Sequence, residues 1–294
     1  MAPIRRAPIR RLAVLLLAFA LLPGCSAVRV VYNQADNLLV WMAHDYFEFD
    51  SVQRHDFNTR LAPLLAWHRH EQLPGYSRFL ADIRQRAERP TTRDDAQWLM
   101  DGAKARFRTM ADKAAPDAAE LLITLTPDNI KALQREFDKV NQKFAREHKL
   151  GGTAEDRRRA RLDRTLKRIR DWTGPLTPAQ EARISAVNDS IPYTDHLRQQ
   201  DRQRRQKEFL ALLNARANKA EFTRTLRAWL TDWEAGRPPE VQAALNDGYE
   251  KRIALYIEVQ HSLSTQQRAH LQQQFKGYIE DLNALAAKHV AETK

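Results

Sequence analysis

Leu176-Thr177-Pro178-Ala179-Gln180 is the stretch that decides the fold. Thr177 offers a hydroxyl to the free N–H groups that begin a helix. Pro178 takes the first helical position, where its missing N–H is no loss, and Gln180 can reach back to the Thr177 backbone. The unit recurs with variation as Phe49-Asp50-Ser51-Val52-Gln53, Leu125-Thr126-Pro127-Asp128-Asn129 and Leu263-Ser264-Thr265-Gln266-Gln267. Asp50, Thr126, Thr177 and Ser264 are thus read as four helix caps. The leading apolar residue can act as a staple, best seen in Leu125 against Ile130.

The residues beyond each cap also repeat. Apolar side chains fall 8, 12 and 15 positions after the lead residue: Phe57, Leu61 and Leu64, then Leu133, Phe137 and Val140, then Leu271, Phe275 and Tyr278. The copy after Thr177 keeps Ile184 and Ile191 but places the polar Asn188 between them. Tyr76-Ser77-Arg78-Phe79-Leu80 pairs with Phe222-Thr223-Arg224-Thr225-Leu226, and Arg89-Pro90 with Arg237-Pro238. The lead residues stand at 49, 125, 176 and 263, giving spacings of 76 and 87 within two halves. The expectation is a duplicated helical unit, residues 25–150 and 151–294, divided at Gly151-Gly152 with a basic helix at 154–172. The alternative is that capping boxes recur in any helical protein.

Between the caps, helical spacing runs nearly everywhere and no sustained period-two alternation exists, so no sheet is expected. Leu38, Trp41 and Met42 with Asp45-Tyr46-Phe47; Tyr76, Phe79, Leu80 and Ile83; Trp98, Leu99 and Met110; Leu162, Leu166 and Ile169; and Phe222, Leu226, Trp229, Leu230 and Trp233 each mark one face expected to be buried. Pro74-Gly75, Arg89-Pro90, Pro116, Gly151-Gly152, Gly174-Pro175, Pro192 and residues 236–239 punctuate these segments. The fold class is all-α, a bundle of about ten helices.

The N-terminus supplies an address. Arg5, Arg6, Arg10 and Arg11 precede an apolar run at 12–22, too short for a membrane span, which needs about 20 residues, but right for a signal-peptide core. Leu22-Pro23-Gly24-Cys25 then matches a lipobox, with Pro23 in place of the usual small residue. Residues 1–24 read as a lipoprotein signal peptide, and Cys25, the single cysteine, as the lipidated residue at the head of the mature chain. Without four signal arginines, the 48 basic residues become 44 against 37 acidic ones, so the mature chain stays basic. In the envelope the polyanions at hand are lipid and lipopolysaccharide phosphates and acidic unfolded chains, so nucleic acid is not an expected partner. Ser26, where retained lipoproteins carry Asp, favours the periplasmic face of the outer membrane, and the expected partners are that membrane, through lipid on Cys25, and unfolded or envelope proteins.

Two groups of side chains invite a chemical reading. Arg157, Arg158, Arg161, Arg164 and Arg168 crowd one helix and are candidate contacts for anionic surfaces; a solvated face partly balanced by Glu155, Asp156 and Asp163 is the plainer reading. His68, His70 and Glu71 are the densest candidate metal or catalytic cluster, with His68 and Glu71 at i, i+3 on one helix face. Zinc needs at least three protein ligands, and no third can be named, so no metal, cofactor or catalytic residue is expected. No phosphate loop, nucleophile elbow or HExxH motif is present. These features together point to a non-enzymatic binding or chaperone-like envelope protein. A scaffold with one dedicated partner is the alternative, and a hydrolase using His68 and Glu71 comes third.

Leu176, Thr177 and Gln180 resemble the LTxxQ motif of Spy-type periplasmic chaperones, a likeness that implies a helical, basic, partly apolar cradle for unfolded clients. Asp45-Tyr46-Phe47, Asp50-Ser51-Val52-Gln53, Trp67-His68-Arg69 and Glu71-Gln72-Leu73-Pro74-Gly75-Tyr76 resemble an uncharacterised Gram-negative lipoprotein family known as a domain of unknown function. That resemblance implies no activity.

Overall fold

The structure, a computed structural model, describes residues 25–287, so the signal-peptide reading lies outside them. Twelve α-helices succeed one another: α1 (Cys25–Asn33), α2 (Ala35–Phe47), α3 (Ser51–Trp67), α4 (Leu73–Arg86), α5 (Arg93–Ile123), α6 (Pro127–Glu147), α7 (Ala154–Thr173), α8 (Pro178–Ser190), α9 (Asp195–Asn214), α10 (Lys219–Thr231), α11 (Pro239–Ser262) and α12 (Thr265–Ala287). There is no strand among the described residues. The chain is an all-α multi-helix bundle.

Each of the four caps carries its capping box. Asp50 accepts from the Gln53 N–H, Thr126 from Asn129, Thr177 from Gln180 and Ser264 from Gln267, and each amide oxygen accepts from its own cap's N–H. Two more boxes, Thr92 with Asp95 and Thr153 with Asp156, use a carboxylate where the recurring unit has an amide. The first cap pairs with the second and the third with the fourth. Gln53 Nε2 donates to Asn129 Oδ1 at 2.9 Å and to Thr124 O, two residues before the partner cap, and Asn129 Nδ2 returns a bond to Phe47 O. In the other pair Gln180 Nε2 donates to Gln267 Oε1 and to Ser262 O, again two residues before the cap, while Gln267 Nε2 donates to Gln180 Oε1 and Pro175 O. All four amides are buried, so each bond is made where water cannot replace it.

Each clasp sits on its own core. Around the first lie Phe49, Leu121, Leu122, Leu125, Leu133, Phe209, Leu213, Phe222 and Leu226. Around the second lie Leu166, Ile169, Ile184, Ile191, Leu255, Val259 and Leu263, with Leu176 packed against them. The segments on either side of Gly151-Gly152 interleave: α4 and α1 lie on α12, α10 on α5, and α9 on α6. Residues 76–80 lie on α4 against α12, and residues 222–226 on α10 against α5.

Three sequence expectations are corrected. Pro74-Gly75 does not separate two helices: a π-helical turn, His68–Gln72, joins α3 to α4, with Leu73 N–H donating to His68 O. Pro74 has no N–H and its ring would crowd the carbonyl four residues back, and the wider turn accommodates it at the first turn of α4. Pro116 lies inside α5, where buried Ala111, Ala115 and Ala119 form a smooth stripe; Ala119 shares its core with Phe222 and Leu226 of α10, and this packing offsets the lost hydrogen bond. Finally, Leu38, Trp41 and Met42 are not buried. Helix α2 docks through Ala43, Tyr46 and Phe47, which leaves Trp41 59% exposed.

Candidate functional site: an arginine pocket beside an apolar groove

On α7, Arg157, Arg161, Arg164 and Arg168 recur every three or four residues and so share one face, while Leu162, Leu166 and Ile169 turn to the second core. That face meets the end of α8, the start of α9 and the middle of α11. Arg161, Arg164 and Arg168 there join Arg198 and Arg252 around a cavity of about 90 Å³, whose one acidic lining residue is Asp195.

Five guanidinium groups thus line a pocket with one carboxylate, and two of them reach it. Asp195 Oδ2 lies 2.9 Å from His148 Nδ1 and 3.5 Å from Arg164, and Arg198 stands 4.0 Å from Oδ1. Arg164 and the three arginines that do not reach Asp195 also donate to neutral oxygens. Arg161 donates to Ile191 O at 2.7 Å, Arg164 to Glu147 O at 2.7 Å, Arg252 to the Thr194 hydroxyl at 3.4 Å and Arg168 to the Tyr256 hydroxyl at 3.3 Å. Burial, and after it the neighbouring Arg198 charge, lowers the Arg252 pKa to about 10; burial also lowers Arg161 and Arg198. All remain cations at neutral pH. Two of the lining residues carry a buried donor without a hydrogen-bond partner, Asn188 Nδ2 and Arg161 Nε, and Asn188 is fully buried.

Across the ridge formed by Arg252 and Tyr256 runs an apolar groove of about 490 Å³ between α4, α5, α11 and α12. Ile83, Trp98, Leu99, Ile253, Ile257 and Phe275 line it. A smaller apolar pocket of about 230 Å³, lined by Trp172, Val259 and Leu263, shares Tyr256, Gln260 and Leu271 with it. The lining also includes buried Gln260, which bonds Ala87 O, Arg89 O and the Thr91 N–H, and Asp95, held between Arg86 and Arg89. The side-chain bond from Arg89, opposed by burial and aided by Thr92, holds the Asp95 carboxyl well below the usual range.

The remaining sequence candidates part company. Arg157 donates to Gly152 O and lies over Tyr193, while Arg158 turns outward to Glu155 and Asp189. Cys25 begins α1. His68 Nδ1 lies 2.7 Å from the Tyr32 hydroxyl and its ring meets the edge of Tyr76, and burial lowers its pKa. Glu71 instead accepts from Trp67 Nε1 at 2.9 Å. Among the described residues no three His, Cys, Asp or Glu side chains are grouped to hold a metal. Sequence reasoning missed Asp195, Arg252 and Tyr256, and read Arg198 only as the start of a polar run and Asn188 only as a break in a repeat; the one usable signal was a lone arginine at 252 next to Ile253 and Leu255 on the buried side of α11.

No curated protein and no solved structure matches the chain. Residues 45–242 match DUF6279, a family of unknown function, and the chain belongs to that family.

Proposed function

We propose that this member of DUF6279 is a lipid-anchored envelope protein that works by binding, and that it captures an anionic group in the pocket of Arg161, Arg164, Arg168, Arg198 and Arg252. The observation that carries the reading is the imbalance of five guanidinium groups against Asp195 around one cavity. An arriving carboxylate or phosphate would accept from the guanidinium groups and offset the crowded charge. A chaperone-like cradle, suggested by Leu176, Thr177 and Gln180, would need its arginines on an open face. An interhelical pocket of this size suits a compact anionic group better than an unfolded chain.

The anchor reading rests on the lipobox before Cys25 and gains support from its surroundings. Val30, Val31, Leu38, Trp41 and Met42 on α1 and α2 are exposed, an apolar face next in sequence to the proposed lipid. No helix among the described residues is long and apolar enough to cross a membrane. The same face favours the second reading, a scaffold with a dedicated protein partner. For hydrolysis by His68 and Glu71 no observation speaks, because each is engaged by a different neighbour.

Two experiments test the proposal. Equilibrium binding of inorganic phosphate and pyrophosphate to the full chain is expected to weaken at least tenfold with Arg252→Ala and to fall steeply with salt. Absence of salt-sensitive anion binding would overturn it. Cys25→Ser is expected to abolish palmitate labelling and release the chain from outer-membrane fractions; retention there would remove the anchor.

A further inference from the structure

We infer that the ligand is a single-chain anionic amphiphile whose head sits in the arginine pocket and whose hydrocarbon tail crosses the Arg252–Tyr256 ridge into the apolar groove. This rests on the anion-binding reading above and adds the tail. The head site and the groove are not two unrelated hollows. Arg252 and Tyr256 line both, and Tyr256 also borders the smaller apolar pocket. One turn of α11 thus presents a cation and a ring with an apolar body and a polar tip at the junction of a charged chamber and a greasy one.

The two chambers divide the chemistry sharply. Around the head site five guanidinium groups stand against one carboxylate, so an acceptor-rich, negatively charged group suits it. The groove has the opposite character: Ile83, Trp98, Leu99, Ile253 and Ile257 offer no hydrogen bond to a polar chain except the indole of Trp98, whose ring carries Arg86 at 4.1 Å. At about 490 Å³ its volume falls within the roughly 300–1,000 Å³ of small-molecule sites. Leu99 and Tyr256 stand at 37% and 38% exposure, so the groove opens to solvent and a chain can enter without unfolding the bundle. A free anion would leave this apolar surface wet, whereas an amphiphile covers it. Carboxylate and phosphate heads both suit bidentate arginine contacts, so a fatty acid and a monoacyl phosphate share the required chemistry.

The test measures binding of radiolabelled dodecyl phosphate, laurate and methyl phosphate to the full, lipidated chain in phosphatidylcholine nanodiscs, with empty discs subtracted. Each buried methylene is worth about fourfold in affinity, so dodecyl phosphate is expected to bind at least about 100-fold tighter than methyl phosphate. The stronger of the laurate and dodecyl phosphate arms identifies the head. Leu99→Glu, at an exposed groove position, should erase the chain-dependent gain and leave methyl phosphate binding unchanged. Arg252→Ala should weaken all three ligands, with circular dichroism checking that helicity is retained. Equal affinities for dodecyl and methyl phosphate would overturn the tail and leave anion capture standing. Binding of neither would remove both. Displacement of dodecyl phosphate by uncharged dodecyl maltoside at equal concentration would overturn the role of the head.

Discussion

The two clasped regions are built alike and finished differently. Each joins two capping boxes through buried amides, and each places an apolar lead residue under its caps: Phe49 and Leu125 in one, Leu176 and Leu263 in the other. Around the first clasp the space is filled by the rings of Phe49, Phe209 and Phe222 with Leu133, Leu213 and Leu226, all less than a tenth exposed. Around the second the core is aliphatic, and the apolar pocket at Val259 and Leu263 and the arginine pocket at Asn188 and Ile191 open from its margin. The same framework can therefore serve as a packed support on one side and as the wall of a binding site on the other. The difference lies in side-chain volume, not backbone plan.

The sharpest way to break this contrast is to truncate one residue on each side. Phe222→Ala should cost about 3–5 kcal/mol in denaturant unfolding, because a fully buried ring leaves a cavity. Leu99→Ala at the groove should cost less than about 1 kcal/mol, since its site is already open. Equal losses would mean that the groove is a structural part of the core.

The clasps come next. Gln267→Ala removes the partner of Gln180 and strands Pro175 O, and Gln53→Ala does the same to Asn129 and Thr124 O. Each should cost about 1–3 kcal/mol. Within the second clasp the bonds run both ways, so the Gln180→Ala and Gln267→Ala losses should be strongly non-additive in a double-mutant cycle. Additive losses would argue against a shared unit.

The binding side predicts a gain. Replacing Arg252 by Met removes a cation that Asp195 cannot neutralise, so stability should hold or rise by about 0.5–1 kcal/mol while anion affinity falls, the trade expected at a site built for a ligand. A loss of stability without loss of binding would make Arg252 structural. A further effect is pH-dependent. Because the folded Asp95 carboxyl lies below its ordinary value of 3.8, its contribution is present above that pH and drains away as pH falls through 3.8 and beyond. The Asp95→Asn chain should lose this acid-side slope, as read by thermal unfolding between about pH 5 and pH 2.

Much of the framework was legible because it is local. A cap, a proline at the first turn and an amide three residues on are neighbours in sequence, so Asp50, Thr126, Thr177 and Ser264 could be read directly. The clasps were legible only as spacings of 76 and 87, since nothing at Gln53 says that its amide will meet Asn129. The arginine pocket was half legible. Arg161, Arg164 and Arg168 lie on one helix, but Asp195, Arg198 and Arg252 come from two others, and only packing brings them together. Pro74 and Pro116 misled for a common reason: a local rule about backbone donors yields where neighbouring helices hold the segment in place. Trp41 misled in the other direction, because an apolar stripe names a face that wants cover and not the element that covers it.

The π turn at His68–Gln72 has a consequence of phase. A residue in a helix turns the side-chain direction by about 100°, so one extra residue in a turn swings everything beyond it by that angle. Before the turn, α3 lies against α2 and α5; after it, α4 lies against α12, and Ile83 and Arg86 reach the groove. Without that added residue, the apolar stripe of α4 would point a quarter-turn away from α12. A single rod would then serve the filled core alone, and the groove would lose a wall.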